Sequence, residues 1–128
     1  MEKQLKQLKE FHSAFGLGWG SNPSHVNEET KKLRISIMRE ELNEAILAME
    51  NEPIENIAKE LADVLYVVYG TIGEYGLGGK MEQVFDEVHK SNMSKLGIDA
   101  KPLYREDGKV LKGPHYALPD IKSILTKN

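Results

Sequence analysis

The sequence predicts an all-α protein: an antiparallel bundle of four main helices with a short C-terminal helix, in one domain over residues 1–128. Three observations carry this reading. Four segments repeat their apolar residues at three- and four-residue spacing, the period of a helix with one buried face. Breaks containing glycine or proline separate those segments. Strand signals are few, and an antiparallel bundle is the default way to bury four apolar stripes.

In residues 2–15, Leu5, Leu8, Phe11, His12 and Phe15 fall at helical spacing. GLGWGSNPS (16–24) interrupts the pattern. Asn27 is a candidate N-cap for a second helix running to about Glu50, with Glu28 and Glu29 well placed in its first turn. Pro53 suits the first position of a third helix over about 53–75, which stops in YGLGGK (75–80). A fourth helix spans about 80–95, with Gly97 as its stop. Asp107-Gly108, between LYR (103–105) and KVL (109–111), predicts a hairpin turn. A short last helix begins near Pro119.

Composition narrows the function. Hydrophobic residues at 40% and charged residues at 29% are ordinary for a globular protein. A net charge of −3 argues against a nucleic-acid partner, which needs a basic surface. The absence of cysteine excludes disulfides, zinc–thiolate sites and thiol catalysis. MEKQLKQLKEF has no apolar run of signal-peptide type, and nothing approaches the ~20 apolar residues of a membrane span. A cytoplasmic protein with no membrane partner is expected.

Two acidic segments stand out, REELNE (39–44) and KELAD (59–63). Glu41 and Glu44, Glu40 and Glu44, and Glu60 and Asp63 are three or four apart, so each helix offers paired carboxylates on one side. Fifteen residues lie between Glu44 and Glu60, with Pro53 near the middle, so antiparallel packing brings the pairs to a similar height. Ile35, Met38, Leu42, Ile46 and Met49 form one apolar stripe of the second helix. Leu33, Ile37, Leu47 and Ala48 lie on its other side, and the acids sit within or beside that stretch. LADVLYVVY (61–69) is apolar almost all round, the pattern of a buried helix, which sets Asp63 in or beside the interior. Buried carboxylates are rare unless paired or metal-bound. Arg39 and Lys59 could help to neutralise the acids, but each stands one position off the relevant face. A divalent cation satisfies the cluster, and all-oxygen ligands suit Mg²⁺, Mn²⁺ or Ca²⁺. A glutamate pair on one helix is usually solvated; two pairs in an apolar setting point to a site.

Glu40-Glu41-x-x-Glu44 followed by Glu60-x-x-Asp63 resembles the paired acidic motif of the all-α nucleoside-triphosphate pyrophosphatases. That group includes MazG-like proteins, dimeric dUTPases and phosphoribosyl-ATP pyrophosphohydrolases. FHSAFG (11–16), KSNMSKLG (90–97) and DGKVLKGPHY (107–116) are similar to the phosphoribosyl-ATP pyrophosphohydrolase-like branch. The basic and aromatic tail of MazG proper is missing, so its broad substrate range does not carry over. The resemblance implies Mg²⁺-dependent hydrolysis of a nucleoside triphosphate to the monophosphate and pyrophosphate, with Mn²⁺ a possible substitute. It implies metal ligation by Glu41, Glu44, Glu60 and Asp63, and a water oriented or deprotonated by Glu40. It also implies substrate contacts from Asn92 and Lys95, and more distally from Lys109 and Lys112. Two alternatives stand beside it: a phosphoribosyl-ATP pyrophosphohydrolase, and a non-catalytic helical dimer that binds a nucleotide.

The remaining residues point less sharply. Trp19 would stack on a base or plug the bundle end, His12 reads as a packing or surface residue, and His89 and His115 lack partners at metal-ligand spacing. Tyr116, near Lys112 and Pro114, is a further candidate for substrate contact. Gly70 and Gly73 inside the third helix predict close helix–helix approach and a second subunit over its apolar surface, hence a homodimer or higher homo-oligomer.

Overall fold

The computed structural model describes residues 1–127. Its helices are α1 (Glu2–Ala14), α2 (Glu28–Asn51), α3 (Ile54–Glu74), α4 (Met81–Met93) and a short α5 (Ile121–Thr126), with a 3₁₀ turn at Ile98–Ala100. Among the described residues there is no strand, only an isolated antiparallel bridge between Tyr104 and Val110. The all-α class and the count of four main helices and a short fifth are as the sequence predicts. Backbone contacts group the chain into two compact units, Met1–Gly79 and the segment from Lys80 onward.

In the first unit, α3 packs against both α1 and α2. The Asn27 side chain accepts the Thr30 N–H at 2.8 Å and starts α2, as its residue type predicts. Pro53 takes the N-cap of α3 rather than its first helical position. Both α1 and α3 end in the same way. Gly16 and Gly76 adopt left-handed backbone at φ 70° and 67°. The next residues fold back, Leu17 N–H donating to His12 O and Leu77 N–H to Ile72 O. These bonds satisfy carbonyls that a helix end would otherwise strand, and only glycine takes that conformation without a Cβ penalty. The 16–24 loop then returns across the end of α3, with Gly20 N–H on Gly73 O at 2.8 Å and Ser24 N–H on Tyr75 O at 3.0 Å.

The interior of this unit is partly polar. Leu8, Ala45 and Ala48 are buried, and so are His12 and Arg34. Arg34 donates from Nε to Thr71 Oγ1 at 3.1 Å and from Nη2 to Val67 O at 3.0 Å. His12 Nδ1 donates to Gly18 O at 2.8 Å and lies 3.4 Å from Glu74 Oε1. The His12 ring meets Trp19 edge to face. Gly70 and Gly73 serve this arrangement. A Cβ on Gly73 would run into the Trp19 ring, and one on Gly70 into Arg34 and His12. The close approach expected at these glycines is therefore made by side chains, and Trp19 plugs the end of the helices. α3 itself is less buried than its sequence predicts. Leu61, Leu65 and Tyr66 stay exposed, as do Leu42, Ile46, Leu47 and Met49 of α2.

In the second unit, α4 ends at Met93, short of Gly97, which has ordinary negative φ. The chain after it is tied back by Gly113 N–H on Lys95 O at 2.7 Å and Ser91 Oγ on Ala117 O at 2.7 Å. Arg105 N–H on Lys109 O and Leu111 N–H on Leu103 O form the expected hairpin around Asp107-Gly108. The Asp120 carboxylate caps α5 through Ser123 N–H and Oγ.

Candidate metal centre

α2 and α3 carry the acids, joined by the short turn at Glu52–Pro53. Glu41, Glu60 and Asp63 each place a carboxylate oxygen within 4.8 Å of the others. A cation bound at about 2.1–2.5 Å spans opposite oxygens about 4–5 Å apart, so this spacing suits a shared divalent ion. All three residues are half-buried. Glu41 Oε2 and Glu60 Oε2 are buried and have no hydrogen-bond partner. Orphaned buried acceptors are costly, and a hard cation is the group that would satisfy two at once. The donor set, all carboxylate oxygen, fits a hard divalent cation of the Mg²⁺, Mn²⁺ or Ca²⁺ kind.

The electrostatics agree. Burial, then the negative charges of Glu44, Asp63 and Glu60, push the Glu41 carboxyl above its ordinary range. Glu44 thus lies close enough to be felt, but it is exposed and falls outside the converging three. Glu40 is exposed on α2. Asp63 is less interior than the sequence predicts, with 36% of its side chain exposed.

Lys59 does help at the cluster. One position off the acidic face, its long side chain still reaches the cluster. Nζ lies 2.7 Å from Asp63 Oδ2 and 3.4 Å from Glu60 Oε1. The hydrogen bond to Asp63 holds the ammonium above the usual lysine range. The signal was present as an i, i+4 spacing.

The other candidate residues belong to the second unit. Asn92 and Lys95 line one cavity of about 390 Å³ with Met93, Leu96, Pro102 and Val110. Lys109 is exposed, its backbone N–H on Asp107 Oδ1 at 3.2 Å. Lys112 Nζ stands 4.9 Å above the Tyr116 ring, a cation–π distance. Of these four, then, the fold brings Asn92 and Lys95 to one cavity and pairs Lys112 with an aromatic face.

Comparison with known proteins covers the same ground. A crystal structure from Exiguobacterium sp. 255-15, of a provisionally assigned NTP pyrophosphohydrolase, is 21% identical and aligns over 93% of this chain and 90% of its own, at a TM-score of 0.43. An uncharacterized protein of Acanthamoeba polyphaga mimivirus is 29% identical over 70 residues, 55% of this chain. The match spans 28% of that relative's length. The family model for phosphoribosyl-ATP pyrophosphohydrolase matches residues 8–92. That span holds the whole acidic cluster and ends at Asn92, short of Lys95, Lys109 and Lys112. With two thirds of its length under that model, acids included, the chain belongs to the phosphoribosyl-ATP pyrophosphohydrolase family.

Proposed function

We propose that this protein hydrolyses a nucleoside triphosphate to the nucleoside monophosphate and pyrophosphate, with Mg²⁺ as its metal. The observation that carries the reading is the convergence of Glu41, Glu60 and Asp63, two of them with an orphaned buried oxygen, inside the family-matched segment.

In this reading Glu41, Glu44, Glu60 and Asp63 hold the metal. A triphosphate carries about four negative charges at neutral pH, and the bare acid cluster would repel it. A divalent cation held by these acids would reverse that local sign and supply Lewis-acid chemistry to phosphate and water. Glu40, exposed on α2, orients the attacking water or accepts its proton through its carboxylate. The water's oxygen bonds to phosphorus as the anhydride bond to the pyrophosphate group breaks, and the departing oxygen keeps the electron pair. Asn92 donates from its amide, while Lys95, Lys109 and Lys112 neutralise phosphate charge. We also propose a homodimer, on the open apolar faces of α2 and α3.

The family's name favours a second reading, with phosphoribosyl-ATP as substrate. One turnover screen separates the two. The protein is incubated with Mg²⁺ and a panel of ribo-, deoxy- and modified triphosphates plus phosphoribosyl-ATP, and the products are separated by chromatography. Monophosphate with pyrophosphate from a free triphosphate supports the first reading. Turnover of phosphoribosyl-ATP alone supports the second. A nucleotide-dependent thermal shift with no product would make the protein a binding module and sink both. Glu60→Gln is expected to lower kcat by about 100-fold or more while keeping the helical circular-dichroism signal.

A further inference from the structure

Lys59 occupies an unusual position for a surface lysine. Its side chain is 66% exposed, yet its ammonium lies on two of the three converging carboxylates. Its partner atoms are Asp63 Oδ2 and Glu60 Oε1. It does not satisfy Glu41 Oε2 or Glu60 Oε2, which stay buried without partners. The cluster is therefore neutralised on its solvent side and unsatisfied on its inner side. A divalent ion entering between the three acids needs an oxygen of Asp63. The Asp63 carboxylate already shares its charge with an ammonium through Oδ2 at 2.7 Å, which makes it a poorer metal ligand through either oxygen, and two cations so close repel each other.

We infer that Lys59 is a placeholder cation, which holds Asp63 in the metal-free protein and must swing away when the metal binds, so that it sets the metal concentration at which the site fills. The inference rests on the reading of Glu41, Glu60 and Asp63 as metal ligands. It goes beyond that reading by assigning a role to a residue outside the ligand set. The lysine suits the part: its four-carbon stem is flexible and its head is already in water, so release exposes no buried charge. A glutamate-facing arginine would bind in a fixed fork and leave less readily.

The test is calorimetric titration of the metal-free protein with Mg²⁺ and with Mn²⁺, with no nucleotide present. Wild type is compared with Lys59→Met and Lys59→Gln. Titrations run at about 0.5 M salt, where the screening length falls to about 4 Å and distant charge effects fade. Loss of the competing contact is expected to tighten metal binding about two- to fivefold in both variants. Lys59→Arg, which keeps the pairing, is expected to bind no more tightly than wild type. Equal or weaker binding by the Met and Gln variants would overturn the placeholder role and leave the metal site standing. If wild type binds neither metal, or Glu60→Gln binds as well as wild type, the metal site fails and the placeholder role falls with it.

Discussion

Glu41 is the residue at which the sequence motif and the geometry meet most directly. It lies among three other carboxylates with one oxygen shut away from water and unpaired. Its carboxyl is held above the ordinary glutamate range by burial and by those neighbours. In the window just above that ordinary range, the folded protein keeps a proton that the unfolded chain has lost. Stability of the metal-free protein therefore falls as pH rises through that window. Glu41→Gln should remove this part of the slope, seen as a flatter melting temperature against pH without metal. It should also weaken Mg²⁺ binding, since an amide oxygen is a neutral ligand. An unchanged pH slope together with wild-type metal affinity would show that Glu41 is not a member of the cluster. The convergence of Glu41, Glu60 and Asp63 was legible in the sequence because carboxylate spacing on two helices is a one-dimensional pattern. The part Lys59 plays was only half legible, for a geometric reason: face counting places a Cβ, while a lysine ammonium reaches several ångströms beyond it.

At the scale of elements, the helices read well because their punctuation is chemical. Asn27 caps α2, and Gly16 and Gly76 close α1 and α3 with left-handed turns. The 16–24 loop read poorly, because its role depends on partners far along the chain. Trp19 is the chain's one tryptophan, and it lies against Gly73 and the His12 ring. Gly73→Ala should expel the indole, since a methyl group would occupy the ring's place. Overpacking of this kind costs about 1–3 kcal/mol. A lower melting temperature with a red-shifted tryptophan emission is the expected result. Wild-type emission and stability would mean that Trp19 does not seat on α3. The buried Arg34 was not legible at all: a lone arginine in KKLRISI gives no sign that it will donate to Thr71 and Val67 from inside.

For the molecule as a whole, the apolar pattern of α2 and α3 exceeds what the helices of their own unit cover. Leu65 is 55% exposed, in a helix whose sequence reads as buried, and Ile46 is 50% exposed, on an apolar stripe of α2. Sequence periodicity reports how apolar a face is, and says nothing of whether the cover comes from the same chain. The proposed dimer fits that surplus. Light scattering at micromolar concentration should give twice the 14.4 kDa chain mass. Leu65→Glu should shift the mass to one chain. A monomeric wild type would refute the dimer and leave these faces as open surface.

The pinned 16–24 segment also bears on where this protein accepts change. By composition, GLGWGSNPS looks like slack chain, the natural place to insert a tag or an epitope. Its backbone is instead stitched to the end of α3 by the Gly20 and Ser24 amides, and its indole is a wedge. The exposed tip at Glu106–Gly108 has no such seams beyond its own hairpin. A few residues grafted at that tip should leave the first unit's melting undisturbed, whereas the same graft between Gly18 and Gly20 would unpick it. The glycine-rich stretch is the less permissive of the two.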